Sequence, residues 1–346
     1  MRWDACGHDT PPSDPIVADL PLIDLRRPDA EVARAIGRAC RAHGFFYVTG
    51  HGIDEALAFR LQYLSRDFFA LPEEIKARYA MPLAGSAWRG WLPLGRELTS
   101  GRPDWKEGLY LGTDLPADDP RVRAGLPLHG RNLVPNDDVL AGFASTIHAY
   151  MAAVAAVGHR VLAAIARSLS LPADYFAARY TADPLLLFRV FLYPSRAVPA
   201  GVDAQHGVGE HTDYGLLTLL RQDDVGGLQV RVGERWVEAP PVPQTFVCNI
   251  GDMLDRMTGG LYRSTPHRVR LNTSGRDRLS FPLFFDPSWD ARIAPIRNAE
   301  IDDRVKRWDG ASVHAFEGSY GDYLLAKVGK VFPELRQQVL ASDQAP

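Results

Sequence analysis

The stretch GEHTDYGLLTLLRQDD, Gly209 to Asp224, sets a histidine and an aspartate two residues apart ahead of an apolar run. If the backbone is extended there, His211 and Asp213 leave the same face of a strand, because side chains alternate along it. Imidazole and carboxylate both ligate divalent transition metals. An ordinary turn can hold the same pair, so a third donor from a neighbouring strand has to decide. His267 in STPHRVRL is the best candidate: Pro266 fixes the backbone before it and an alternating pattern follows. Two imidazoles and one carboxylate on one face suit Fe(II), with three positions left open for a co-substrate and oxygen.

A second constellation follows in RLSFPLFF. Arg278 and Ser280 share a strand face, and Phe284 shares it by the same period of two. The planar fork of an arginine binds a carboxylate bidentately and a serine adds a hydroxyl donor. Such a pair suits the far carboxylate of a keto acid whose other end chelates the metal. Tyr193 in FLYP offers another hydroxyl from the preceding strand. Two other readings use the same residues. A catalytic zinc site also takes three protein ligands and a water, but has no need of Arg278 and Ser280. A metal-free binding protein would bury Asp213 beside two histidines without a cation, which is costly.

These groups must be positioned by a fold, and the bulk properties bound it. With 346 residues, 46% hydrophobic and 23% charged, the chain is globular with a large core. A net charge of −3 argues against nucleic acid or an anionic membrane as main partner. No stretch reads as a signal peptide or a membrane span. The cysteines Cys6, Cys40 and Cys248 show no CxxC spacing, which suits the reducing cytoplasm and offers no thiolate site. Nothing in the sequence sets the oligomeric state.

The first fifteen or so residues read as a loose arm. LPLIDL (20–25) reads as a strand, Glu31–His43 as a helix ended by Gly44, and FFYVTG (45–50) as a strand. Asp54 should cap a helix through Phe69, and Pro72 should start another. From 81 to 135 periodicity is lost, and Trp88, Trp91 and Trp105 mark either a packed loop or a lid over a site. An apolar stripe predicts a long helix over Asp138–Leu169. After Pro184 the period switches to short strands with Gly, Asp and Pro between them, up to RLSFPLFF. KVFPELRQQVL reads as a final helix.

With HTD, then 53 residues, a histidine, ten more residues and RxS, the sequence resembles the isopenicillin-N-synthase-like family of Fe(II)/2-oxoglutarate dioxygenases. LPLIDL, GFFYVTGHGI and RLSFPLFFDP carry the likeness over most of the chain. The resemblance implies a mainly β fold with flanking helices, a distorted double-stranded β-helix (jelly roll) core. It implies an N-terminal helix and strand region over 16–135, a jelly-roll core over 184–290, and supporting helices over 136–183 and 291–346, packed as one unit. It implies Fe(II) on His211, Asp213 and His267, 2-oxoglutarate on Arg278, Ser280 and Tyr193, and O2 as the oxidant, with succinate and CO2 released as a small polar, amino-acid-like substrate is oxidised.

Within that family HTDYGLL, QDDVGGL, MTGG and STPHRVRLNT are most similar to bacterial members that include the ethylene-forming enzyme. That likeness implies substrate contacts at Glu97, Thr99, Arg189 and Tyr214, and the period of two that puts Phe284 on the face of Arg278 and Ser280 makes it a lining residue of the same pocket. Near the C-terminus, where that enzyme has an arginine and a tyrosine, this chain has Lys330 and Phe332. Plant-type members carry asparagine where this chain has Phe191. The alternatives within the fold are arginine-dependent ethylene formation and an iron oxidase that needs no keto acid.

Overall fold

The computed structural model describes residues 15–296 and 317–331. The N-terminal arm, most of the expected final helix and Phe332 lie outside the described residues. Of Lys330 only the backbone is described, in the helix Tyr320–Val331.

Fifteen strands are described: β1 Ile16–Val17, β2 Leu20–Asp24, β3 Phe45–Thr49, β4 Gly90–Leu92, β5 Leu98–Thr99, β6 Arg102–Pro103, β7 Glu107–Gly112, β8 Leu185–Tyr193, β9 His206–His211, β10 Leu217–Gln222, β11 Leu228–Val232, β12 Arg235–Glu238, β13 Phe246–Ile250, β14 His267–Arg270 and β15 Arg278–Asp286. Nine form the larger sheet, in the order β1-β2-β3-β13-β10-β15-β8-β7-β4. Four form the smaller one, β12-β11-β14-β9, and β5 pairs with β6 alone. All pairings are antiparallel except β2 with β3. Two antiparallel sheets built from the second half of the chain are the jelly-roll core, and the first 112 residues extend the larger sheet at both of its edges.

Local chemistry sets the helix ends. Asp54 accepts the Ala56 N–H at 2.9 Å and caps Glu55–Ala70 as expected. Gly44, at φ +63°, turns the chain out of the helix Asp29–Ala42 into β3. The long helix begins at Phe143 rather than Asp138, because Gly142 at φ +75° breaks the chain just before it.

That helix, Phe143–Ser168, corrects one expectation. It is long and apolar enough to cross a membrane, although 56% of its most apolar window is buried inside the fold. Phe143, Val154, Val161 and Ile165 are fully enclosed. Burying each large side chain of this kind contributes about 1.5–3 kcal/mol. The apolar stripe is thus the buttress of the larger sheet.

The segment 81–135 holds more structure than its pattern suggests. β4 and β7 form one edge of the larger sheet, with β7 paired along its length to β8. β7, EGLYLG, is buried over five of its six residues, so it lacks the alternation that marks a half-exposed strand. Trp88, Trp91 and Trp105 are all buried, which makes the segment a packed wall.

Candidate active site

β9 and β14 lie side by side in the smaller sheet, with His211 directly opposite His267. Their rings are 4.2 Å apart. The strand β9 ends at His211, so Asp213 stands just past it in the turn rather than on the extended face. The turn still brings Asp213 Oδ1 to 3.9 Å from His211 Nε2 and 3.7 Å from His267 Nε2. All three donor atoms lie within 4.8 Å of one another.

The remaining nitrogens are spoken for. His211 Nδ1 lies 2.8 Å from the Gly209 carbonyl and His267 Nδ1 3.3 Å from that of Thr265. An Nδ1–H that donates to backbone leaves the Nε2 lone pair for a metal. Burial, with His211 alongside, pushes the His267 imidazole down to about 4, so it is neutral at pH 7 and keeps that lone pair. Burial opposes the charge on Asp213, but the two imidazoles, Asn249 and Thr218 outweigh it and hold the carboxyl below the usual aspartate range.

Asn249 and Thr218 are contributors that sequence reasoning missed. Asn249 Nδ2 donates to Asp213 Oδ2 at 2.7 Å and Thr218 Oγ1 donates to the same oxygen at 2.5 Å. They come from the neighbouring strands β13 and β10 and turn Oδ1 toward the histidines. The signal was available: each is the polar residue inside an otherwise apolar strand, FVCNI and LLTLL. Because such supporting partners are worth about 10–100-fold in metal affinity, Asn249→Ala should weaken iron binding by that factor in an anaerobic titration.

Arg278 is 1% exposed on β15, opposite Tyr193 on β8. Its Nε donates to the Val225 carbonyl at 3.1 Å and its Nη2 to Gln222 Oε1 at 3.0 Å. Nη1 is buried with no partner among the described residues. The guanidinium lies 4.7 Å from the centre of the Tyr193 ring. Ser280, two residues on, is also buried.

A cavity of about 500 Å³ opens onto the three metal-type donors and is also lined by Tyr193, Phe284, Glu97, Thr99, Arg189 and Tyr214. The expected substrate residues therefore gather at one site. Arg278 and Ser280 do not face the cavity; Tyr193, against which Arg278 is stacked, does. Phe191 also faces it, with Lys106 Nζ 4.6 Å from its ring centre.

Glu97 does not pair with Arg189. It binds Lys106 Nζ at 2.7 Å and accepts the Tyr110 hydroxyl, two partners that sequence reasoning did not single out. Burial works against the Glu97 carboxylate, yet Lys106 keeps it below the usual range. Arg189 lies over the Tyr110 ring, 4.5 Å from its centre, and gives Nη1 to the carbonyls of Leu111 and Phe188. Thr99 donates to Asp104 Oδ2 at 2.8 Å, while Asp104 Oδ1 accepts the Gly209 N–H at 3.1 Å. Asp104 thereby ties the 97–104 hairpin to the strand that carries His211.

Residues 20–137 match the model of the non-haem dioxygenase N-terminal region (named for morphine synthesis), and residues 176–287 match the 2OG-Fe(II) oxygenase superfamily. A probable iron/ascorbate oxidoreductase of Dictyostelium discoideum is 52% identical, with 94% of this chain and 98% of that protein covered. The chain belongs to the 2OG-Fe(II) oxygenase superfamily. Another relative of this oxygenase is a homoarginine-6-hydroxylase of Oryza sativa subsp. japonica, 36% identical over 86% of this chain and 88% of the other. Its fold matches the crystal structure of a full-length Neurospora crassa protein in complex with alpha-KG and thymine, at TM-score 0.74 and 28% identity, covering 90% and 97% of the two chains. This oxygenase is an enzyme that uses Fe(II) and 2-oxoglutarate on a jelly-roll core and acts on a small substrate.

The residues present fit both groups. Donors about 2.1 Å from one ion stand about 3.0 Å apart at right angles, so Asp213 Oδ1, at 3.9 and 3.7 Å from the two Nε2 atoms, needs to close on each histidine by less than an ångström around a metal. The orphaned Nη1 of Arg278 is what a far carboxylate would satisfy.

Proposed function

We propose that His211, Asp213 and His267 hold the Fe(II), and that Arg278, with Ser280 and Tyr193, holds the 2-oxoglutarate. The substrate is an amino acid with a basic side chain or one of similar size and charge. One observation carries this: the triad, an acid and a base all face the same cavity, whose volume of about 500 Å³ lies in the range of small-molecule sites.

When bound, iron and 2-oxoglutarate supply the oxidising power, with release of succinate and CO2. The chain's own residues bind, orient and exclude water. Glu97 presents a charged carboxylate to a cationic group. Arg189 is half-buried in the cavity wall, and its Nε and Nη2 make no hydrogen bond among the described residues, so it takes the substrate carboxylate. Thr99 and Tyr214 shape the walls between them, and Phe284 closes the apolar side. That a relative is a homoarginine hydroxylase supports a basic amino acid. Cys40 and Cys248 are buried and unpaired, which supports a cytoplasmic location.

Succinate release, measured with homoarginine, arginine, lysine and neutral amino acids in turn, tests the substrate class. A basic amino acid should stimulate turnover above the rest. Glu97→Gln should then raise its KM by about tenfold or more, the worth of one charge-assisted hydrogen bond of about 1.5–3 kcal/mol. Stimulation confined to neutral compounds, or an unchanged KM in the variant, would remove Glu97 from the substrate site.

A further inference from the structure

Away from the iron cavity, Arg89 in SAWRGW is 1% exposed and among the largest fully buried side chains. Its Nη2 donates to the Leu128 carbonyl at 2.6 Å. Its Nε and Nη1 are buried without a partner among the described residues. Asp114, the acid whose charge reaches it, is engaged elsewhere: it binds Arg131 at 3.0 Å and accepts the Asn132 N–H at 2.7 Å. A buried guanidinium with two unsatisfied nitrogens and no carboxylate hydrogen-bonded to it is costly, and proteins seldom leave one so. Burial pushes Arg89 down to about 9.

The fold makes room for this side chain. At Gly112, on β7, a Cβ would fall 1.9 Å from Arg89 Nη1, so only glycine admits the guanidinium there. Beside it lies a cavity of about 260 Å³, lined by Arg89, Thr113, Arg121, His129, Asp183 and Ser288. Two acids also line this cavity: Asp183 binds Arg121 at 2.5 Å, and Asp290 is exposed to solvent. Leu128 lines this cavity and the iron cavity alike.

We propose that this second cavity binds a small oxyanion, a carboxylate or a phosphate-like ion, which accepts hydrogen bonds from the Arg89 nitrogens left without a partner. Thr113 and Ser288 also line the cavity, which has room for an ion of a few heavy atoms. The site is independent of the iron chemistry, since none of its lining residues belongs to the metal or keto-acid set.

Isothermal titration of sodium acetate and, separately, of sodium phosphate into the full-length protein tests it. Arg89→Met and Arg278→Met variants run in parallel, because an oxyanion could also bind at Arg278. One of the two ions should bind at one site in the parent and in Arg278→Met, and at least tenfold more weakly in Arg89→Met. The ion that binds identifies the class as planar carboxylate or tetrahedral oxyanion. Equal binding in Arg89→Met, or no binding of either ion to the parent, overturns the proposal. Should Arg89→Met fail to fold, parent crystals soaked in selenate give the answer: anomalous selenium density should lie in hydrogen-bond reach of Arg89, and none there overturns it.

Discussion

Asp213→Ala is expected to leave a folded protein that binds no stoichiometric Fe(II) and releases no succinate. The carboxylate is the only charged donor of the triad, and its Oδ1 is the point on which both Nε2 atoms converge, at 3.9 and 3.7 Å. Two imidazoles alone supply neither the negative charge nor the third position. Truncation also strands the donors of Asn249 and Thr218, which are buried, so a stability loss of about 1–3 kcal/mol for each unsatisfied group should accompany it. Iron per chain by metal analysis, beside a denaturant melt, separates the two effects. A variant that keeps full iron would place the metal elsewhere.

Arg278→Met should raise the 2-oxoglutarate KM by about 30-fold or more while leaving iron binding intact. Removing one partner of a buried charge-assisted pair costs about 2–5 kcal/mol, and each 1.4 kcal/mol is tenfold. Methionine keeps the apolar stem against Tyr193 and loses the cation, so the change isolates the charge. The split matters more than the size. A higher keto-acid KM with unchanged iron affinity assigns Arg278 to the co-substrate, whereas loss of both would make it a structural residue. The two variants together therefore divide the site into a metal half and a keto-acid half.

Much of this site was legible in the sequence because its donors sit on or beside strands of period two. HxD followed by a histidine at the start of HRVR marks two adjacent strands, and the structure pairs them with His211 opposite His267, although the register shifts further along the pair. RLS marked two polar residues that the structure buries, Arg278 and Ser280, while their place outside the cavity lining was not legible from the alternation. What the pattern could not show was pairing across the larger sheet. Asn249 and Thr218 stand out as polar residues in apolar strands, but that both reach Asp213 depends on β13 and β10 being neighbours, a long-range pairing that the local pattern does not specify. β7 was hidden because a strand buried on both faces does not alternate. Glu97 was visible as a charged wall residue, but its partner was not. Lys106 faces it because the 97–104 hairpin folds back, whereas Arg189 lies over the ring of Tyr110.

The helix Phe143–Ser168 shows the converse limit. Its composition fits a lipid span and a core buttress equally well, and only its burial against the sheet separates them. The 81–135 segment makes a related point about glycine and tryptophan. Gly90, Gly95 and Gly101 all take positive φ, which breaks the periodicity, yet the intervening residues pack as ordered walls of the cavity.

The most direct test of the central claim is an anaerobic titration of 2-oxoglutarate into the protein loaded with one Fe(II), followed by its visible spectrum. Chelation of the iron by the keto acid gives a weak charge-transfer band, which should grow to saturation at one 2-oxoglutarate per iron. The absence of any band from a protein that holds its iron would contradict the account, since it would mean that the triad binds a metal the keto acid never reaches.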